Sequence, residues 1–455
     1  VSNDRFKGHT ALKITGSFVL LALIGSFLLN LPILQVPNDA TYFDHLITAT
    51  SLVCVSGLAT VSIYETYNIY GQILALILIQ IGGLGIITLL NVGLYYLRKR
   101  ITLTEQHMLL ESFNRDTSED FTGFLLTIYR FTLSMELLGA LILMLDFIPR
   151  WGWKQGSFNA IFTAVSAFSN AGFQNFPGKN LEVFQENPLV LLTISALVIA
   201  GGLGFAVWFE IYERFKQYRS HRPYSLRLAF RNMSIHTHVV LKMTVILLTT
   251  GTLLVWAVES RNIYSIGTLS FPHQLLNSFF ASVNMRTAGY VTVNYYDLKP
   301  ITKFVSMVHT LIGAGPGGTA GGLKVTTAAV LYLTFRSELL NYSHVIIRRR
   351  TISSVIQKRA LVIVLFFTMM FIGGYSLLLL TQTHVAALDL MFEVVNALGT
   401  AGISLNLTAR LSTFGHLVLM ILMIAGRVGP ITLLMSVLYH KSNEVHYAEA
   451  NIYIG

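Results

Sequence analysis

Four short stretches of this 455-residue chain close on a glycine in the same way: Val55-Ser56-Gly57, Asn170-Ala171-Gly172, Thr287-Ala288-Gly289 and Thr400-Ala401-Gly402. Their glycines lie 115, 117 and 113 residues apart. That spacing marks one unit repeated four times, and a repeat of this kind constrains the fold before anything else does. Each stretch ends a short apolar segment (43–56, 156–170, 273–287 and 387–400) and leads through a loop into a long apolar run. A segment of about 10–15 residues cannot cross roughly 30 Å of hydrocarbon, so these four read as re-entrant half-helices.

Composition places the chain in a membrane. It is 53% hydrophobic and 12% charged, against about 25% charged residues in a typical soluble domain. Eight runs are long enough to span: 11–34, 70–97, 121–148, 188–213, 238–259, 301–335, 359–381 and 413–439. The first is too long for a secretory h-region and lacks a small-residue cleavage site, so a retained helix is expected. The single cysteine, Cys54, excludes an internal disulfide framework and reads as a small buried side chain.

The predicted architecture is therefore an all-α integral membrane protein. It has four tandem span–pore-helix–span repeats, 1–113, 114–232, 233–350 and 351–455, around a pseudo-fourfold central pore. Of the 32 Lys and Arg residues, 20 fall before residue 14, in 98–115, 214–231 and 336–359, and at Lys441. By the positive-inside rule both termini and the inter-unit loops are cytoplasmic and the glycine turns face outward. The net charge of +10 belongs to these loops, which could bind anionic headgroups or dock a soluble partner.

A half-helix that ends at such a turn directs its negative dipole end at the centre of the membrane. The carbonyls before each glycine can then replace the water shell of a monovalent cation. Polar backbone at this depth is tolerated where it is buried or lines a water-filled path. Glycine fits a turn with positive φ. One such glycine alone would read as an ordinary helix C-cap; four matched ones point to a filter made of Val55, Ser56, Gly57, Asn170, Ala171, Gly172, Thr287, Ala288, Gly289, Thr400, Ala401 and Gly402. No ring of Asp or Glu accompanies them, which disfavours a divalent-cation site.

These turns, with Met285-Arg286 before the third, and the motifs Gly82-Gly83-Leu84-Gly85, Gly201-Gly202-Leu203-Gly204 and Gly426-Arg427-Val428-Gly429-Pro430, resemble the Trk/Ktr/HKT superfamily of potassium transporters. The resemblance covers essentially the whole chain and is greatest to the KtrB-type membrane subunits of Ktr potassium-uptake systems, which lack the N-terminal extension of TrkH-type members. It implies K+ as the transported ion, Na+ as a candidate activator, a homodimer with one pore per protomer, and a KtrA-type cytoplasmic ring of nucleotide-binding regulatory subunits. It also implies a bacterial plasma-membrane location.

The third unit carries Gly313, Gly315, Pro316, Gly317, Gly318, Gly321 and Gly322 within ten residues, followed by Lys324. At about 1 kcal/mol per glycine and 3 per proline, that stretch cannot remain helical, so a flexible gate loop is expected beneath the filter. Its Gly-x-Gly-x-x-Gly spacing lacks the βαβ context of a dinucleotide site. Arg427, deep in the last span, must face a cavity or a partner; the resemblance places it in the path below the filter. Arg286, beside a cation path, is expected to point away from the axis and to pair with Glu393.

Three other readings compete. A sodium-permeable or Na+-coupled member of the same superfamily is one; there a serine in place of the first filter glycine is associated with sodium permeation, whereas Gly57 is present here. An alternating-access transporter would show inverted repeats and ionisable groups at mid-span, but the four units share one orientation and Glu136 is the one acid evident at that depth. An enzyme is disfavoured because the chain has no H-E-x-x-H or G-x-S-x-G motif, and His309 and the other histidines read as polar packing.

Overall fold

A computed structural model of the protein describes residues 2–85, 121–178, 181–220 and 231–429. The helices longer than ten residues, in chain order, are α1 Ser2–Leu29, α2 Tyr42–Cys54, α3 Ile69–Leu84, α4 Phe121–Phe168, α5 Pro188–Gly202, α6 Phe205–Ser220, α7 Ile235–Glu259, α8 Phe271–Asn284, α9 Pro300–Leu311, α10 Val325–Leu339, α11 Ser354–Thr381, α12 Ala387–Gly399 and α13 Thr413–Val428. Two short antiparallel strands, Ile346–Ile347 and Arg350–Thr351, form a hairpin between α10 and α11. The basic loop 98–115, the distal ends of the predicted spans 70–97 and 413–439, and the tail 430–455 lie outside the described residues.

The half-helices form close to where the sequence places them. α2 starts with a capping box in which Thr41 and Asp44 satisfy each other's backbone donors. α4 holds a span and a half-helix in one element, broken at Gly152 (φ 77°) three residues after Pro149. Around that break, Trp151 stacks on Phe176 at 5.0 Å between ring centroids, and Arg150 pairs with Asp146 at 2.6 Å. The chain thus reverses through an aromatic cluster.

The first helix of each unit is continuous; the second is broken in units 2 and 3, and in units 1 and 4 it ends at a glycine where the described residues also end. α1, the first part of α4, α7 and α11 are long and apolar enough to cross a membrane. The sequence predicts continuous second spans in units 1, 2 and 4 and a broken one in unit 3; in unit 2 the structure corrects this, and the distal parts of the spans 70–97 and 413–439 lie outside the described residues. α3 stops at Gly85 (φ 84°) and α13 at Gly429 (φ 88°), while α5 and α6 meet at Gly204 (φ 94°) with a bend of 96°. α9 and α10 are separated by the loop 312–324. Each glycine in these motifs costs a helix only about 1 kcal/mol, so tertiary contacts decide whether the helix breaks.

Each second helix packs against the next unit: α3 on α4, α5 on α8, α9 on α12, and α13 back on α2. The order closes on itself. Within units 1, 2 and 4 the second helix presses a glycine onto a half-helix carbonyl, Gly82 on Val53, Gly201 on Phe168 and Gly426 on Leu398. In unit 3 the Thr310 hydroxyl donates to the Met285 carbonyl at 3.0 Å instead. Val53, Phe168, Met285 and Leu398 each stand four residues before a turn glycine.

An added Cβ at Gly82 would overlap the Val53 carbonyl oxygen and lie 2.8 Å from its carbon, atoms that cannot rotate away. Gly82→Ala is expected to destabilise the protein by at least ~1–3 kcal/mol, the usual cost of overpacking. Gly373→Ala on α11, where nothing lies within 4 Å, should be neutral or stabilising by up to ~1 kcal/mol. Thermal unfolding in detergent compares the two.

Candidate ion pathway

At the end of α2, of α4 and of α12, the helix closes with the same two bonds. The amide of Ser56 donates to Ser51 (2.9 Å), Ala171 to Ser166 (2.8 Å) and Ala401 to Asn396 (2.9 Å), the long closure of a Schellman motif. The left-handed residue that this motif requires is Val55 (φ 53°), Asn170 (φ 58°) and Thr400 (φ 52°), not the glycine two positions later. Thr287 (φ 68°) takes the same conformation in the third turn, where Ala288 donates instead to Asn284 at 3.1 Å. Gly57, Gly172, Gly289 and Gly402 then supply a second positive φ, from 70° to 84°.

So each turn has two left-handed positions, of which the sequence reading recognised one. Left-handed geometry costs a non-glycine residue roughly 1–2 kcal/mol, and a β-branched one is an outlier there. The glycines are the partly exposed members of the turns; the two residues before each are buried.

The four turns meet. A Cβ at Gly57 would stand 2.8 Å from the Ala171 carbonyl oxygen, one at Gly172 2.7 Å from that of Ala288, and one at Gly289 2.9 Å from that of Ala401. A Cβ at Gly402 would overlap the carbonyl oxygen of Ser56. Each glycine therefore abuts the carbonyl that precedes the glycine of the next turn, in the cyclic order one, two, three, four, one. The side-chain hydroxyls of Ser56, Thr287 and Thr400 are buried without a hydrogen-bond partner among the described residues.

Side chains that the sequence reading passed over brace the ring. Ser166 Oγ donates to the Phe173 carbonyl (2.8 Å) and accepts from its amide (3.0 Å). Asn284 Oδ1 accepts from the Tyr290 amide at 3.1 Å, and the Tyr290 hydroxyl donates to Phe173 O at 3.1 Å. Their signal was present: polar residues within otherwise apolar half-helices.

Beneath the ring, the loop 312–324 brings the predicted gate residues together. Gly313, Gly315, Pro316, Gly321 and Gly322 are buried, and Gly317 and Gly318 partly so. Backbone bonds tie the loop to the α5–α6 break, from Gly315 to Gly202 O (2.8 Å), Thr319 to Gly201 O (3.1 Å) and Phe205 to Gly317 O (3.1 Å). Lys324 Nζ donates to Ala320 O at 2.7 Å, within the loop itself. Arg427 spans three units: its guanidinium donates to Thr319 O and to the α3 carbonyls of Gly82 (2.5 Å) and Gly83 (2.8 Å). Carbonyl oxygens, not an acid, receive this charge.

Half-helices converging on a shared ring of backbone, inside a bundle of apolar helices, define a membrane-embedded transport fold. The chain belongs to the TrkH family of cation transport proteins, whose profile matches residues 9–446. It is 33% identical over 439 residues to the Ktr system potassium uptake protein B of Bacillus subtilis (strain 168), covering 96% of this chain and 95% of that one. It is 34% identical over 454 residues to the potassium/sodium uptake protein NtpJ of Enterococcus hirae, covering 97% and 96%. In fold it resembles the potassium transporter TrkH from Vibrio parahaemolyticus, with a TM-score of 0.75 at 16% identity over 97% of this chain and 86% of that chain. The expected family and the helical membrane fold are both borne out.

One expected contact does not form. Arg286 and Glu393 make no ion pair; those among the described residues are Arg150–Asp146, Arg214–Glu210 and Lys303–Asp389. Glu393 is instead occupied by the loop that follows its own helix. Its carboxylate accepts from Ser404 Oγ, from the Leu405 amide (3.1 Å) and from Thr408 Oγ1 (2.9 Å). These donors lie 11 to 15 residues along the chain, so local geometry saturates the acid first. Arg286 is 3% exposed, and its Nε and Nη2 have no hydrogen-bond partner among the described residues. Glu393→Gln is expected to cost ~1–3 kcal/mol of stability, because an amide N–H would face buried donors. The same loss should appear in an Arg286→Gln background, the two effects adding to within ~0.5 kcal/mol. A double-mutant cycle in thermal unfolding checks this.

Proposed function

We propose that the protein conducts dehydrated K+ into the cell through a filter formed by the four glycine turns. The observation that carries this reading is the closed cycle of contacts in which each turn glycine meets the carbonyl of the next turn. Four backbone turns held around one line, with partly exposed glycines and no acidic side chain among them, suit a monovalent ion stripped of water. The names of the relatives point the same way, toward potassium uptake in one case and potassium/sodium uptake in another. An inside-negative potential supplies about 2.3 kcal/mol per charge per 100 mV, enough to drive uptake without a coupled solute.

The units run from 1–113, 114–232, 233–350 and 351–455. The filter comprises the three residues ending at Gly57, Gly172, Gly289 and Gly402. The loop 312–324 and Arg427 act as the gate: while the guanidinium bridges the loop and the α3 carbonyls, it places a positive charge and a peptide segment below the filter. In this reading the inter-unit loops and both termini are cytoplasmic, the protein is a homodimer in a bacterial plasma membrane, and a nucleotide-binding ring releases the gate, with Na+ as a candidate activator. A sodium-permeable or Na+-coupled transporter is the second reading, favoured by the Enterococcus relative's name and opposed by glycine at position 57.

Gly57→Ser tests the filter. The serine must adopt φ +84°, with its Cβ 2.8 Å from Ala171 O and 3.0 Å from the Gly402 Cα. Liposome flux should show K+ preference over Na+ falling about tenfold or more with the protein still folded; an unaltered ratio would remove the filter assignment. Arg427→Gln tests the gate. Loss of charge-assisted bonds worth ~1.5–3 kcal/mol each should raise basal flux at least several-fold, measured in the same vesicles.

A further inference from the structure

The gate loop also touches the filter itself, through a residue that neither the sequence motifs nor the reading above assigns. Thr319 is 1% exposed, and each of its polar groups is bonded to a different element. Its amide donates to Gly201 O (3.1 Å) on α5, and its carbonyl accepts from Arg427. Its hydroxyl donates to Phe168 O at 3.0 Å, at the end of the second half-helix. The amide nitrogen of Asn170, turned toward its acceptors, donates to this same Thr319 hydroxyl (3.2 Å) and to the Phe168 and Val198 carbonyls (3.3 Å each).

Asn170 is the left-handed residue of the second turn, with φ 58°. Short amide side chains hold this conformation by bonding locally, and here one of those bonds reaches across to the loop. On its other side the loop bears on the fourth turn. A Cβ at Gly321 would lie 3.1 Å from both Cβ and Cγ2 of Thr400 and would overlap its Oγ1. Thr400 is the left-handed residue of that turn, φ 52°. The second and fourth turns stand opposite one another in the cyclic order, so the loop braces two facing sides of the ring at their most strained positions.

We propose that Thr319 is a positioning residue of the filter: the closed loop props the second and fourth turns, and the ion preference of the ring depends on whether the loop is seated. The inference rests on the filter reading above and adds to it a mechanical link between gate and selectivity. Displacing the loop removes the hydroxyl from Asn170 and Phe168 and the packing from Thr400. A strained backbone persists only while its surroundings over-determine it, so the turns relax when that support goes.

The test compares K+ and Na+ flux in liposomes containing full-length protein. Thr319→Val replaces the hydroxyl with a methyl of equal size, and Thr319→Ser keeps the hydroxyl. The expected result is a roughly three- to tenfold lower K+/Na+ ratio in the valine variant, the scale of one buried hydrogen bond, with the serine variant close to the native ratio. Should the valine variant not yield monodisperse protein, Thr319→Ala removes the same hydroxyl without pressing a methyl onto the Phe168 carbonyl. A native ratio in the folded valine or alanine variant, whatever its total flux, overturns the link. So does a serine variant shifted as far as the valine one. Gly57→Ser run in parallel separates the two levels: if it lowers the ratio and Thr319→Val does not, the filter stands and the link fails.

Discussion

Peptide groups inside a bilayer have no water to bond with, and each unsatisfied one costs several kcal/mol. A turn that ends a half-helix inside such a bundle must therefore find its partners within the fold, and a neighbouring helix or turn can approach its carbonyls most closely where it carries no side chain. Glycine does this at two levels here. Gly82, Gly201 and Gly426 admit the half-helix carbonyls of Val53, Phe168 and Leu398, and the four turn glycines admit the carbonyls of the neighbouring turns. A methyl at any of these seven positions would meet a carbonyl at 2.9 Å or less. The ring exists because these contacts close in a cycle; three of the four would leave an open arc.

That closure accounts for the strain beside it. Val55, Thr287 and Thr400 hold a left-handed conformation that β-branched residues avoid, at roughly 1–2 kcal/mol apiece. The bonds around them offset this: the long closures from Ser56 to Ser51 and from Ala401 to Asn396, and the packing of the turns on one another. Had glycine occupied the helix-ending position, as in most such motifs, the turns would be easier to form and also freer to deform. If the turns form an ion filter as proposed, holding atoms at fixed distances favours the stiffer choice.

The four short helices that end at the glycine turns were legible because a glycine every 113 to 117 residues and a shift from long to short apolar runs are properties of the chain alone. What was not legible depends on the partner at each position. The second left-handed residue of each turn is Val, Asn or Thr, types whose local preference argues against it, and the assembled ring imposes it. The helix ends at Gly85, Gly204 and Gly429 were visible only as the glycine-rich motifs 82–85, 201–204 and 426–430, whose helix cost does not by itself decide where an apolar helix stops. Arg286 and Glu393 were matched by charge and adjacency, but a carboxylate takes the donors that arrive first along the chain, and Glu393 has three within its own loop. Arg427 finds its partners in the backbone carbonyls of Gly82, Gly83 and Thr319, which no local feature of the sequence identifies.

Those helix ends change the meaning of the third unit. Read as sequence, its run of glycines looks like an insertion peculiar to one repeat. In the fold the second helix of units 1, 2 and 4 reaches a positive-φ glycine just beyond its contact with the half-helix (Gly85, Gly204 and Gly429), and in unit 3 the corresponding stretch is the thirteen residues 312–324. The neighbouring helix ends supply what the longer segment needs. The α5–α6 break bonds Gly315, Gly317 and Thr319, and the end of α3 shares its carbonyls with Arg427. Three charge-assisted bonds at ~1.5–3 kcal/mol each bracket the ~5.5 kcal/mol that moves a two-state element from 1:99 to 99:1. In the proposed gate, one guanidinium at the meeting point of the first, third and fourth units is therefore on the scale of a switch. In the proposed reading the four units provide the frame, and the loop 312–324 is the part that moves without dismantling the rest.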